Sequence, residues 1–145
     1  MERIGSKLST LWVFATLNYL YCDVVTLMDP GLLRGFIAGN VGGMTLSQGF
    51  LLAAGALVEV PMAMVVLSRW LPERAARWAN LGAALFMTVV QAASLFVKAP
   101  AAYYVFFSTI EIATTAVIAW ISWRGYAASA FAARFLSSVP NSLET

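Results

Sequence analysis

The sequence predicts an all-α integral membrane protein: a single membrane domain over residues 1–145, folded as four transmembrane helices in antiparallel up-down-up-down order with both termini cytoplasmic. Three observations carry that expectation. Hydrophobic residues make up 61% of the chain and charged residues 11%, against about 45–50% and about 25% in soluble domains. The apolar residues are gathered into runs of bilayer-crossing length, and the basic residues flank those runs unevenly.

The four runs are residues 9–28, 48–68, 79–97 and 101–123, with Asp23, Glu59, no charge and Glu111 as their respective formal charges. Each is close to the ~20 residues that cross a ~30 Å hydrocarbon core. A signal peptide is the competing account of the first run, but the run is too long for an apolar h-region and carries Asn18, Tyr19, Tyr21 and Asp23. It is therefore expected to stay in the mature protein. Four crossings put Arg3, Lys7, Arg69, Arg74, Arg77, Arg124 and Arg134 on one side and Arg34 and Lys98 on the other. The excess marks the cytoplasmic side. The net charge of +2 thus reflects topology and gives no support to nucleic-acid binding.

The connections follow from turn chemistry. Pro72 stops the second helix within the short turn Arg69–Trp78, with Trp70 and Trp78 at headgroup depth. Lys98-Ala-Pro100-Ala joins the third and fourth helices tightly. Asp29-Pro30 ends the first helix, and residues 30–46 form an apolar outer loop in which Leu32, Leu33 and Phe36 fit one or two helical turns. Gly39, Asn40, Gly42 and Gly43 then break the chain. This loop is either a lid over the bundle or a surface segment. The Ala-rich stretch after Gly125 either extends the fourth helix or lies at the interface, and Asn141–Thr145 reads as an appended tail.

Several chemistries are excluded. The chain has no histidine, which removes Ser-His and Cys-His pairs and His-ligated zinc or haem. Cys22 is the single cysteine, so there is no internal disulfide and no multi-cysteine metal site. No cofactor and no catalytic residue is assigned, and the chain reads more readily as a non-enzyme.

Within a hydrocarbon slab a carboxyl must find partners or be neutralised by a proton or a cation, so Asp23, Glu59 and Glu111 carry the functional signal. Helical spacing groups Thr16, Tyr19, Asp23 and Thr26 on the first helix; Gln48, Leu52, Gly55, Glu59 and Met62 on the second; Asn80, Ala84, Thr88, Gln91, Ser94 and Lys98 on the third; and Tyr104, Ser108, Glu111, Thr115 and Ser122 on the fourth. Four such stripes are expected to face one another, giving an outward-opening polar pocket with Glu59 and Glu111 at its floor near the midplane. Asp23, Gln91, Tyr19, Asn18, Tyr104 and Ser108 complete the candidate ligand- or ion-binding set. The structural alternative is that the hydroxyls and amides are interhelical hydrogen-bond glue. Trp12, Tyr103, Tyr104, Trp120 and Trp123 read mainly as an interfacial belt, and Met62, Met64, Met87 and Cys22 as packing.

Two segments resemble each other: Ala56-Leu-Val-Glu59-Val and Ser108-Thr-Ile-Glu111-Ile each place a glutamate about ten residues into a run, as a duplicated two-helix hairpin would.

Asn18-Tyr-x-Tyr-x-Asp23, Glu59-x-Pro61 and the surrounding residues 8–124 resemble a family of small four-helix bacterial membrane proteins of unknown function. A helix-two glutamate in such a bundle is also faintly similar to DoxX-like proteins. The resemblance implies a bacterial inner-membrane location and no activity. The expected function is binding or transport of a small cationic or amphipathic ligand, an ion or protons, with the bilayer and a homodimer as partners. The alternatives are a structural or accessory subunit and, third, an intramembrane acid–base enzyme acting on a lipid-like substrate.

Overall fold

The structure, a computed structural model, describes residues 4–41, 43–96 and 101–138, with side-chain surroundings as far as Gly125. It is helical apart from one minimal hairpin: α1 (Ile4–Leu27), α2 (Pro30–Ile37), β1 (Asn40–Val41), β2 (Met44–Thr45), α3 (Gln48–Trp70), α4 (Glu73–Ser94) and α5 (Ala102–Ser138). The connection containing Lys98 and Pro100, the position of Gly42 and the 141–145 tail lie outside the described residues.

Local chemistry sets the helix ends. Asp29 caps α2, its Oδ1 accepting from the backbone N–H of Gly31 (2.8 Å) and Leu32 (3.2 Å), while Pro30 occupies the first turn, where its missing N–H costs nothing. The outer loop expected to hold one or two helical turns thus contains an eight-residue helix. The chain then reverses through β1 and β2, paired Asn40 with Thr45 and Val41 with Met44. Gly43 adopts φ 87° there, a conformation L side chains rarely take. Ser47 caps α3 by accepting from the Phe50 N–H at 3.2 Å. Leu71 is extended because Pro72 follows, and α3 stops there. The Ala-rich stretch continues α5 to Ser138.

Among the described residues, α1, α3 and the Ala102–Gly125 part of α5 are long and apolar enough to cross a membrane. The 79–97 run is also helical as far as Ser94, but α4 begins with Glu73, Arg74 and Arg77 and spends Asn80, Thr88, Gln91 and Ser94 on polar positions, so it is less apolar than the other three.

The four long helices pack in a ring in which α1 touches α3 and α5, and α4 touches α5 and α3. Contacts pair residues in opposite order along neighbouring helices. Asn18 meets Glu111 while Ile4 meets Gly125, and Gln91 meets Ser108 while Thr88 meets Thr115, so α1/α5 and α4/α5 are antiparallel. The ring is tightest at the end carrying the α3–α4 turn. There the Trp12 indole N–H donates to Asn80 Oδ1 (2.7 Å), the Ser68 hydroxyl donates to the same oxygen (2.8 Å), and Asn80 Nδ2 donates to the Ala76 carbonyl (2.8 Å). Trp12 is fully buried with Leu8, Ala15, Ala84 and Ile118, so it is a core residue rather than a belt residue. Its indole is placed inside because a buried acceptor awaits it. Gly5 lies directly against the Ser68 carbonyl oxygen, which leaves no room for a Cβ. At the same end the Arg77 guanidinium stacks over Trp123 (4.9 Å) and Trp78 (5.6 Å), tying α4 to α5.

Towards the other end α3 diverges. Every residue from Gln48 to Ala56 is exposed. The packed face of α3 is Leu57, Pro61, Met64 and Ser68, the last held by the network at Asn80. Helical spacing puts Glu59 half a turn from that face.

Candidate functional site

The inward stripe of α5 folds as its spacing predicts. Ser108, Glu111, Thr115 and Ser122 are all buried, with Glu111 only 1% exposed. On α4, Asn80, Ala84 and Gln91 are buried and Thr88 and Ser94 half-buried, again on the predicted face.

The stripe on α1 is rotated by about one residue from the expected one. Leu8, Trp12, Ala15, Asn18 and Cys22 point in, whereas Asp23 is exposed. The reason lies in packing: Leu8 and Trp12 are fully buried in the bundle core, while Thr16 and Thr26 satisfy their hydroxyls on their own helix, donating to the Trp12 and Cys22 carbonyls at 2.8 Å each. Glu59 also departs from expectation. It is exposed on α3 and does not join Glu111 at the floor of a common pocket. The Ser68 anchor and the Pro61–Met64 packing turn α3 so that its carboxyl looks away from the bundle.

The buried set therefore centres on one carboxyl. Asn18 Nδ2 donates to Glu111 Oε1 at 3.0 Å and to the Phe107 carbonyl at 3.2 Å. Beside it a chain of bonds links α4 and α5: the Tyr104 hydroxyl donates to Ser94 Oγ (2.8 Å), Ser94 donates to the Gln91 carbonyl (2.7 Å), and Gln91 Nε2 donates to Ser108 Oγ (2.7 Å). Thr115 donates to the Glu111 carbonyl and shares a 2.8 Å hydroxyl contact with Thr88. Among the described residues, two side-chain oxygens are left over. Glu111 Oε2 and the Tyr19 hydroxyl are buried with no hydrogen-bond partner in the structure. Tyr19, Cys22, Asp23 and Tyr104 all lie in the neighbourhood of Glu111.

Of the sequence-derived set, Glu111, Asn18, Tyr19, Gln91, Tyr104 and Ser108 come together; Glu59 stands apart, and Asp23 sits at the exposed edge of α1. Ser94 and Thr115 join the cluster as bonding partners. Their spacing of three residues from Gln91 and four from Glu111 was the available signal. Cys22 joins by proximity and carried no signal beyond its apolar character. Among the described residues, no group of three or more Cys, Asp and Glu side chains is gathered to hold a metal.

A family profile described as a family of unknown function (DUF6326) matches residues 2–129. No curated protein and no solved structure matches the chain, and no match bears on a DoxX-like relationship.

Proposed function

The chain belongs to this family of unknown function (DUF6326), and on that footing we propose that it is a bacterial inner-membrane protein in which α1, α3, α4 and α5 all cross the bilayer and Glu111 binds a proton or a small cation. The basic side chains Lys7, Arg69, Arg74, Arg77 and Arg124 belong to the helix ends around the Trp12–Asn80 network, which supports a cytoplasmic placement of that end and of both termini.

One observation carries the reading. A carboxyl in the interior of an apolar bundle has one oxygen bonded to Asn18 and the other facing no protein donor, with the Tyr19 hydroxyl equally unpartnered nearby. Buried polar atoms without partners are rare and call for an occupant. A proton on Oε2 or a cation held by Oε2, the Tyr19 oxygen and the Ser108–Gln91 chain supplies one. Asn18 then acts as the positioning group that fixes the carboxyl plane. The two-glutamate acid–base enzyme finds no support, because Glu59 faces away from Glu111.

The accessory-subunit reading keeps one specific observation in its favour. The Tyr104–Ser94–Gln91–Ser108 chain and the Thr88–Thr115 contact bond α4 to α5, as interhelical glue does. One experiment separates the two. The full chain in lipid nanodiscs is titrated with protons, sodium, potassium and tetraphenylphosphonium, and the carboxyl stretching band is followed by infrared difference spectroscopy. Ligand binding reads as a component of the carboxyl band that responds in the wild type and in Glu59→Gln and is missing from Glu111→Gln. An accessory role reads as no responding component that Glu111→Gln removes.

A further inference from the structure

We propose that a second copy of this chain packs against the outward face of α3, so that Glu59 meets the same residue of that copy inside the membrane. The inference rests on α3 crossing the bilayer and is independent of ligand binding at Glu111.

Leu52, Gly55, Glu59, Met62 and Val66 form one continuous exposed stripe along α3, with Leu52 76% and Met62 47% exposed. α3 is the most apolar of the three helices that qualify as spans, and Glu59 lies near its centre. An isolated carboxyl facing lipid at that depth is costly. The stripe therefore needs a cover that offers a polar partner where Glu59 sits.

A second copy meets that requirement by symmetry. Both copies share one orientation in the membrane, so a two-fold axis along the membrane normal brings each α3 residue to its counterpart at the same depth. A carboxylic acid group is self-complementary, because its hydroxyl donates and its carbonyl oxygen accepts, so two facing Glu59 side chains bond to each other as a neutral acid pair without a basic residue. Gly55, one turn away, has nothing within 4 Å of where a Cβ would stand, so the helix backbones can approach closely there. Beside the stripe, Val13, Thr16, Leu17, Met62 and Val65 line an apolar groove of about 230 Å³ between α1 and α3. It receives an apolar side chain of the second copy next to Met62.

The test uses the purified full chain in proteoliposomes, in a Cys22→Ala background, with copper-phenanthroline as oxidant. Disulfide-linked dimers are expected for Gly55→Cys and Met62→Cys and not for Phe14→Cys, Leu85→Cys or Val117→Cys, which are exposed on other helices. Labelled copies diluted with lipid should dissociate about tenfold more readily for Glu59→Leu than for wild type, while Glu59→Gln, which keeps a donor and an acceptor, should stay close to wild type. Equal cross-linking on α3 and on the control helices, or undiminished association of Glu59→Leu, overturns the dimer. Reaction of Glu59→Cys with a water-soluble maleimide in intact vesicles overturns the span as well, and so separates that failure from the first.

Discussion

Glu59 and Glu111 sit in two segments of similar sequence, each about ten residues into its own apolar run, yet α5 buries its glutamate and α3 exposes its own. The difference lies in the company each keeps on its helix. Glu111 shares a stripe with Ser108, Thr115 and Ser122, and a neighbouring α1 offers Asn18 at the right height. Glu59 shares its stripe with Leu52, Met62 and Val66, none of which can bond to it, while the opposite face of α3 carries Ser68, which locks into Asn80. A carboxyl goes inside where its helix already has a polar reason to turn that way.

The strongest way to break that contrast is at the lock itself. Trp12→Ala removes a fully buried ring and the donor to Asn80, and should cost about 3–5 kcal/mol. Denaturation of the detergent-solubilised protein by sodium dodecyl sulfate measures it. A loss below ~1 kcal/mol would mean that the network at Asn80 does not hold α1, α3 and α4 in register.

Next in size is the glutamate pair compared directly. Glu111→Ala leaves Asn18 Nδ2 with only the long Phe107 bond and opens a cavity, for an expected loss of about 2–3 kcal/mol. Glu111→Gln preserves an acceptor for Asn18 and should cost under ~1 kcal/mol. Thr115→Val then removes the 2.8 Å contact with Thr88 and the bond to the Glu111 carbonyl, and should cost about 0.6 kcal/mol in the same assay. A Thr115→Val loss as large as that of Glu111→Ala would show that the hydroxyl ladder, and not the carboxyl, organises the α4–α5 seam.

Composition and helical period were enough to make the long helices legible, and on α4 and α5 also the inward faces, because there polar spacing and packing agree: Gln91, Ser108 and Glu111 sit where the stripes predict. They were insufficient on α1 and α3, where polar stripes compete with bulky apolar ones. On α1 the face bearing Leu8 and Trp12 wins over Thr16 and Thr26, since a threonine hydroxyl bonds its own helix at no tertiary cost. On α3 the decisive residue is Ser68, near the helix end, whose partner Asn80 lies across the Pro72 turn. A period within one helix carries no information about a bond made to the next. Proximity of Asn18 to Glu111 is likewise a product of the α1–α5 crossing, and only the residue types hinted at it.

The smallest expected effect is the most discriminating. In the single chain Glu59 is exposed and lies on the face of α3 turned away from α1 and α4. Glu59→Leu should therefore leave unfolding of the monomer within about 0.5 kcal/mol of wild type when measured at high detergent-to-protein ratio. The same substitution should weaken association of copies in lipid, so its two readouts part company. Glu111→Ala behaves in the opposite manner, because its losses are interhelical bonds inside one chain and appear at any dilution. If Glu59→Leu instead destabilised the dilute monomer by as much as Glu111→Ala, the carboxyl would have to be engaged within the bundle. α3 would then be rotated by half a turn from the position that Pro61, Met64 and Ser68 give it.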